Sequence, residues 1–242
     1  MIDLSPFKRP ALQFSGGKDS LACLYLFKEQ LPNLTVYWCN TGDPYPENLA
    51  IIEQVRSWIP NFVEIKSDVK QWRDTNGFPS DLVPARSHFL GIAYGMSPLK
   101  VSNRFDCCMA NIMLPMHERM LQDGVDLVIR GTKTSDTGKL PADGDTPFYR
   151  ILLPIRDWSH RQVFQFLKKV GAPHSVLYDY FRGSSAPECL GCTAWWDDGK
   201  ARCLKALHPK VFTEYQKNLG DIAEEVYRSM KELDGELGDW PN

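Results

Sequence analysis

No apolar stretch in these 242 residues approaches the roughly 18 needed to cross a bilayer, and mean hydropathy is −0.33, so a membrane-spanning helix is not expected. Charge of one sign is lacking too. Against 30 Asp+Glu stand 28 Lys+Arg, a net −2, which argues against a generally basic nucleic-acid coat or a polybasic membrane anchor but leaves a local basic patch open. The opening Met1-Ile2-Asp3-Leu4-Ser5-Pro6 has neither the basic n-region nor the apolar h-region of a secretory signal, which predicts a cytoplasmic protein. Repeats, low-complexity tracts and an obvious flexible linker are also missing. In a reducing compartment the seven cysteines, an odd number, are expected as thiols, metal ligands or redox groups rather than structural disulfides. What is present is 43% hydrophobic residues, enough to bury a core in one or two domains without such staples.

Periodicity gives the organisation. Ala11-Leu12-Gln13-Phe14 is a short apolar run that enters a Gly-Gly turn and then a helical pattern through Leu21, Leu24, Tyr25 and Leu26. Thr35–Trp38 and Phe62–Ile65 read as further strands with a helix over 47–59 between them, and 126–130 and 150–154 as two more, preceded by a helix over 109–121. Residues 68–106, rich in Pro, Gly, Arg and aromatics without a clean period, read as a long functional insertion. Ser159 is placed to N-cap an amphipathic run through Val163, Phe164, Phe166 and Leu167 that Gly171 ends. Strands alternating with helices predict an α/β, doubly wound, mostly parallel sheet over residues 1–175, with a cysteine-containing C-terminal helical lobe, 176–242, packed on it.

Between the first strand and its helix lies Ser15-Gly16-Gly17-Lys18-Asp19-Ser20. Glycines there let the backbone approach a ligand, the free N–H groups of the helix start would point outward, and Lys18 with the Ser15 and Ser20 hydroxyls would add polar contacts suited to phosphate. This is not a Walker A loop, because Leu12 and Asp19 stand where that pattern needs Gly and Ser/Thr.

A second signal is sulfur. Cys107-Cys108 and Cys189-Leu190-Gly191-Cys192 are separated by 80 residues. Two thiolate pairs brought together make an S₄ site, which selects zinc or an iron-sulfur cluster; adjacent cysteines fit one compact cluster more easily than two corners of a small tetrahedron. Cys23 and Cys39 lie in apolar runs and read as packing, and so does Cys203 despite its basic neighbours. The histidines at 88, 117, 160, 174 and 208 show no metal or triad spacing.

Ser-Gly-Gly-Lys-Asp-Ser resembles the SGGxDS signature of PP-loop enzymes, which have an adenine nucleotide α-hydrolase-like fold. Asn40-Thr41-Gly42 with Pro46-Glu47-Asn48, Pro154-Ile155-Arg156-Asp157-Trp158-Ser159 and Leu177-Tyr178 narrow the resemblance to the phosphoadenosine phosphosulfate (PAPS) reductase family, over about residues 11–195. The cysteine pattern is similar to that of the adenosine 5′-phosphosulfate (APS) reductases that carry a 4Fe-4S cluster.

The resemblance implies a set of roles. Ser15, Gly16, Gly17, Lys18, Asp19 and Ser20 would hold the phosphate end of APS, PAPS or ATP, and Thr41, Gly42 and Glu47 the wall beside it. Cys107, Cys108, Cys189 and Cys192 would ligate the cluster. Lys18 and Lys133 would neutralise sulfate and phosphate oxygens. Arg130-Gly131-Thr132-Lys133-Thr134-Ser135 is similar to the family's GxRxxES loop, with Lys133 where Arg is usual and Thr134 where Glu is usual.

The resemblance breaks at the tail. Asp234-Gly235-Glu236-Leu237-Gly238-Asp239-Trp240 has Leu237 where these reductases carry a nucleophilic cysteine, and a leucine cannot attack sulfur. Three functions follow: a sulfonucleotide reductase-like oxidoreductase fed by Cys203, by a thioredoxin-type partner or by small thiols; a PP-loop ATP pyrophosphatase working with Mg²⁺ in sulfur modification of nucleic acid; or a non-catalytic nucleotide or redox sensor. Arg73, Arg86, Lys100 and Arg104 lie along the aromatic-containing insertion and read by default as solvated loop charges, with a basic groove for nucleic acid as the alternative. Self-association stays open.

Overall fold

The computed structural model describes residues 2–136, 143–181 and 188–238. Six strands form one sheet in the order β3-β2-β1-β6-β8-β7. β1 (Pro10–Gln13), β2 (Thr35–Asn40), β3 (Phe62–Lys66), β6 (Leu127–Ile129) and β8 (Arg150–Leu152) run parallel; β7 (Gly144–Asp145) is an antiparallel edge. Leu12 stands beside Val36 on one side and Ile129 on the other.

Strands covered on both faces should be apolar at successive positions, and these are. Leu12, Val36, Trp38, Leu127 and Ile129 pack in one core with Leu21 and Leu24 of α1 (Lys18–Leu26), Ile51 and Val55 of α2 (Pro46–Arg56), and Val163 and Leu167 of α7 (His160–Lys169). The alternate residues Ala11, Tyr37, Cys39, Val128 and Ile151 pack on the opposite face against Met116 and Met120 of α6 (Leu114–Gln122). Each large side chain so buried contributes about 1.5–3 kcal/mol. Ser159 caps α7 with a complete capping box, its hydroxyl accepting from the Gln162 N–H while the Gln162 side chain accepts from the Ser159 N–H.

The insertion has more structure than its composition suggests. It holds α3 (Val69–Asn76), capped by Asp68, then β4 (Phe78–Ser80), α4 (Phe89–Ala93), β5 (Val101–Asn103) and α5 (Arg104–Cys108). β4 and β5 pair parallel as a separate two-stranded sheet, and one π turn, Met109–Met113, joins α5 to α6. After residue 188 come α8 (Lys200–Leu207) and α9 (Pro209–Leu237), packed through Cys203, Leu204 and Tyr215 onto Tyr45, Leu177 and Phe181.

The chain leaves β1 toward β2 and β3 on one side and later returns to β6 on the other. The strand order therefore reverses between β1 and β6, and a crevice opens outside the carboxyl ends of those strands. Both the glycine loop and the Arg130-Gly131 turn emerge there.

Candidate functional site

The glycine loop folds tightly on itself. Gly16 adopts φ +78°, and a Cβ on it would lie 2.8 Å from Ile52 Cγ1, so only glycine fits. Three of the loop's N–H groups already have partners: Lys18 N–H donates to Tyr178 Oη (2.7 Å), Gly17 N–H to Ser15 Oγ (3.3 Å) and Ser15 N–H to Ser20 Oγ (3.2 Å). The Leu177-Tyr178 element is thus the roof of the loop.

The two lysines are equally committed. Lys18 is buried, with Nζ 2.6 Å from Asp19 Oδ2 and near the Phe164 and Tyr178 rings; burial first, and then Lys133 among its neighbours, lower its pKa against the pull of Asp19. Lys133 is also buried, 2.8 Å from Asp19 Oδ1 and 2.7 Å from Asp136 Oδ2. Asp19 therefore joins both cations. Gly131 makes this possible, since a Cβ there would meet the Asp19 carbonyl carbon at 2.6 Å.

Beside the loop a cavity of about 650 Å³ occupies the crevice. Ser15, Asp19 and Ser20 line one end; Arg130, Gly131, Thr132 and Asp136 line the side at β6; Met109, Ile112, Met113, Met116, His117 and Tyr149 form an apolar wall. Cys39 and Glu188 complete it. Burial raises the Glu188 carboxyl to about 7 and the Cys39 thiol, which donates to the Asn111 carbonyl, to about 11. Gly16, Gly17, Lys18 and Lys133 support this cavity from behind rather than line it. Nor do the other expected wall residues line it. The Thr41 hydroxyl accepts from Cys189 Sγ (3.4 Å), Gly42 turns the chain at φ +77°, and Glu47 pairs with His208 (3.0 Å).

The four cysteines gather behind the apolar wall. Cys107, Cys189 and Cys192 are buried in one cluster with Val69 and Ala194, and Cys108 is half-buried next to them. Two braces hold the distant pairs together. Arg73 of α3 pairs with Asp43 (2.7 Å), whose Oδ2 also accepts the Gly191 N–H (2.9 Å). A Cβ on Gly191 would lie 2.8 Å from Arg73 Nη1, which explains the glycine inside Cys-x-x-Cys. Asp81 forms the second brace: it accepts the Trp195 and Trp196 N–H groups and pairs with Arg104, three residues before Cys107.

Lys200 is buried in this region, and the Arg73 side chain largely so. Arg73 Nε and Nη2 have no hydrogen-bond partner among the described residues. Lys200 is 1% exposed, donates to the Cys189 carbonyl (3.0 Å), lies between the Tyr45 and Tyr215 rings, and is lowered to about 8 by burial. Burial raises Cys107 to about 11 and Cys108 and Cys189 to about 12. Among the described residues no three His, Cys, Asp or Glu side chains converge on a single-ion site.

Other expectations on the insertion change. Arg73, Arg86, Lys100 and Arg104 do not form a basic groove: Arg73 and Arg104 turn to Asp43 and Asp81, Arg86 to Glu232 (2.9 Å), and Lys100 to the Thr75 carbonyl. Cys23 and Cys203 are fully buried, so Cys203 is not an accessible thiol. Leu237 is exposed at the end of α9, while Asp239 and Trp240 lie outside the described residues. Asp43, Asp81, Arg130 and Lys200 are the residues that sequence reasoning missed as site residues; Arg130 opens the Arg130–Ser135 motif, where attention went to Lys133, and Asp43 sits beside the Thr41-Gly42 turn.

Comparison with known proteins places this architecture. Residues 9–88, which contain β1, the glycine loop, β2 and β3, match the phosphoadenosine phosphosulfate reductase domain family. Over that stretch the chain is similar to that family. It is 28% identical over 181 residues to a phosphoadenosine 5′-phosphosulfate reductase of Baumannia cicadellinicola, covering 73% of this chain and 68% of the relative. To an adenosine 5′-phosphosulfate reductase of Geobacillus kaustophilus it is 23% identical over 206 residues, covering 78% and 80%. In fold it is similar to the crystal structure of a PAPS reductase from Candida auris in a phosphate complex, with TM-score 0.52 and 14% identity over 74% of this chain and 80% of that one. No helix among the described residues is long and apolar enough to cross a membrane.

Proposed function

We propose that this chain is a PAPS reductase family member that binds an adenine sulfonucleotide, APS or PAPS, in the cavity at the glycine loop, beside a 4Fe-4S cluster held by Cys107, Cys108, Cys189 and Cys192, and reduces it with a thiol from outside the chain. One observation carries the reading: the cavity that begins at Ser15 and Asp19 ends on the segments bearing the thiols, with Met109 directly after Cys108 and Glu188 directly before Cys189.

The residues fit such a cluster. A cluster with four thiolates is anionic, and this region offers Cys107, Cys189 and Cys192 buried together with Cys108 beside them, and the Arg73 and Lys200 side chains alongside as counter-charge. When bound, the cluster would supply fixed local charge next to the sulfate. The chain's own part is to bind and orient: Ser15 and Ser20 hold oxygens at the loop, the apolar wall excludes water, and the Asp19–Lys133 pair fixes the shape of the loop.

With Leu237 at the tail and Cys203 buried, the attacking thiol comes from a thioredoxin-type or small-molecule dithiol. Its sulfur bonds to the sulfate sulfur as the S–O bond to phosphate breaks, releasing AMP or its 3′-phosphate; the second thiol of the dithiol then displaces sulfite, leaving a disulfide. Incubating the anaerobically purified chain with APS or PAPS and a dithiol should give sulfite and AMP, or adenosine 3′,5′-bisphosphate, in equal amounts.

Leu237 in place of a thiol leaves a second reading, ATP pyrophosphatase chemistry with Mg²⁺ held near Asp19 and Asp136, which both line the cavity. Pyrophosphate from ATP without sulfite from APS would select it, with Lys18→Ala as control.

A further inference from the structure

The nucleotide reading leaves open which cation meets the anionic group, and the lysines assigned to that task are committed elsewhere. Lys18 and Lys133 lie behind the cavity lining, tied to Asp19 and Asp136. Arg130 is different. It follows β6 directly at the point where strand order reverses, its backbone N–H is fixed by the Leu152 carbonyl (3.0 Å), and its side chain lines the cavity. Its Nε is buried without a hydrogen-bond partner, and among the described residues its guanidinium forms no ion pair with the cavity carboxylates Asp19, Asp136 or Glu188. A guanidinium so withdrawn from water is costly unless it meets an anion, and its planar fork matches two oxygens of a phosphate or sulfate.

We propose that Arg130 is the cation that grips the phosphate or sulfate oxygens of the bound adenine nucleotide, with Lys18 and Lys133 acting as supports of the loop. This rests on the cavity's being the nucleotide site. The Arg130-Gly131 step then combines two duties: the arginine faces the ligand, and the glycine lets the same turn lie against Asp19.

The test is equilibrium binding of adenosine, AMP and APS to the full chain, as wild type, Arg130→Lys and Arg130→Met, with thermal melting to confirm folding. In Arg130→Met, AMP and APS affinity should fall about 10- to 100-fold, the size of one lost charge-assisted contact, while adenosine affinity changes less than about threefold. Arg130→Lys should recover part of the loss and serves if the Met variant does not fold. Unchanged AMP and APS affinity, or an equal loss for adenosine, overturns this assignment alone. A wild type that binds none of the three overturns the nucleotide reading and the assignment with it.

Discussion

The two ends of the cavity bury charge in opposite ways. At the glycine loop, two buried lysines meet two carboxylates, Lys18 and Lys133 with Asp19 and Asp136. At the thiol end, Arg73 and the buried Lys200 have among the described residues one ion-paired carboxylate between them, Asp43, which pairs with Arg73 only. At the first end the four charges balance one another, and the loop they hold acts as a rigid mould. The second leaves Lys200 beside the sulfurs with no ion-paired carboxylate among the described residues, an arrangement suited to thiolates and what they hold.

Substitutions that attack each end separately sharpen this contrast. The largest effect is expected from Asp43→Ala, which strands the buried Arg73 and removes the acceptor for the Gly191 N–H; urea unfolding should show a loss of about 3–5 kcal/mol. At the other end, Gly131→Ala forces a Cβ to within 2.6 Å of the Asp19 backbone. A cost of about 1–3 kcal/mol is expected, with weakened AMP binding in the same preparation; full stability and affinity would show that the two loops need not touch.

Away from both ends, Ser159→Ala removes the α7 capping box and should cost about 1 kcal/mol, read as a lower unfolding midpoint without a change in ligand affinity. The smallest stability change is expected from Lys200→Met, within about 1 kcal/mol in metal-free protein, because replacing a buried charge by an apolar chain of similar length relieves its desolvation. The same variant should nevertheless retain less iron after reconstitution. Iron retention equal to wild type would remove Lys200 from the thiol end's electrostatics.

Much of the fold was legible because its signals are local. The runs at 11–14, 35–38 and 62–65 are apolar enough to read as covered strands, and Ser159 with the amphipathic run through Val163 and Leu167 announces α7. The sheet β4–β5 was not legible: each strand has three residues, and their pairing joins positions some twenty residues apart in the insertion. At the site, the glycine loop and the cysteine pairs could be read from spacing, and the structure brings all four cysteines into one region. The roles of charged residues could not. Lys18 and Lys133 look like ligand-facing cations until Asp19 and Asp136 are seen holding them, and Arg73 looks like a solvated loop charge until Asp43 is found beneath it. Those pairings are tertiary, and no local pattern encodes them.

The most direct test is iron and acid-labile sulfide analysis of the chain purified without oxygen, as wild type and as Cys108→Ser. The account predicts about four irons and four sulfides per wild-type chain, and far fewer in the variant at unchanged AMP affinity. An iron-free wild type, or a Cys108→Ser chain loaded as fully as its parent, would contradict it.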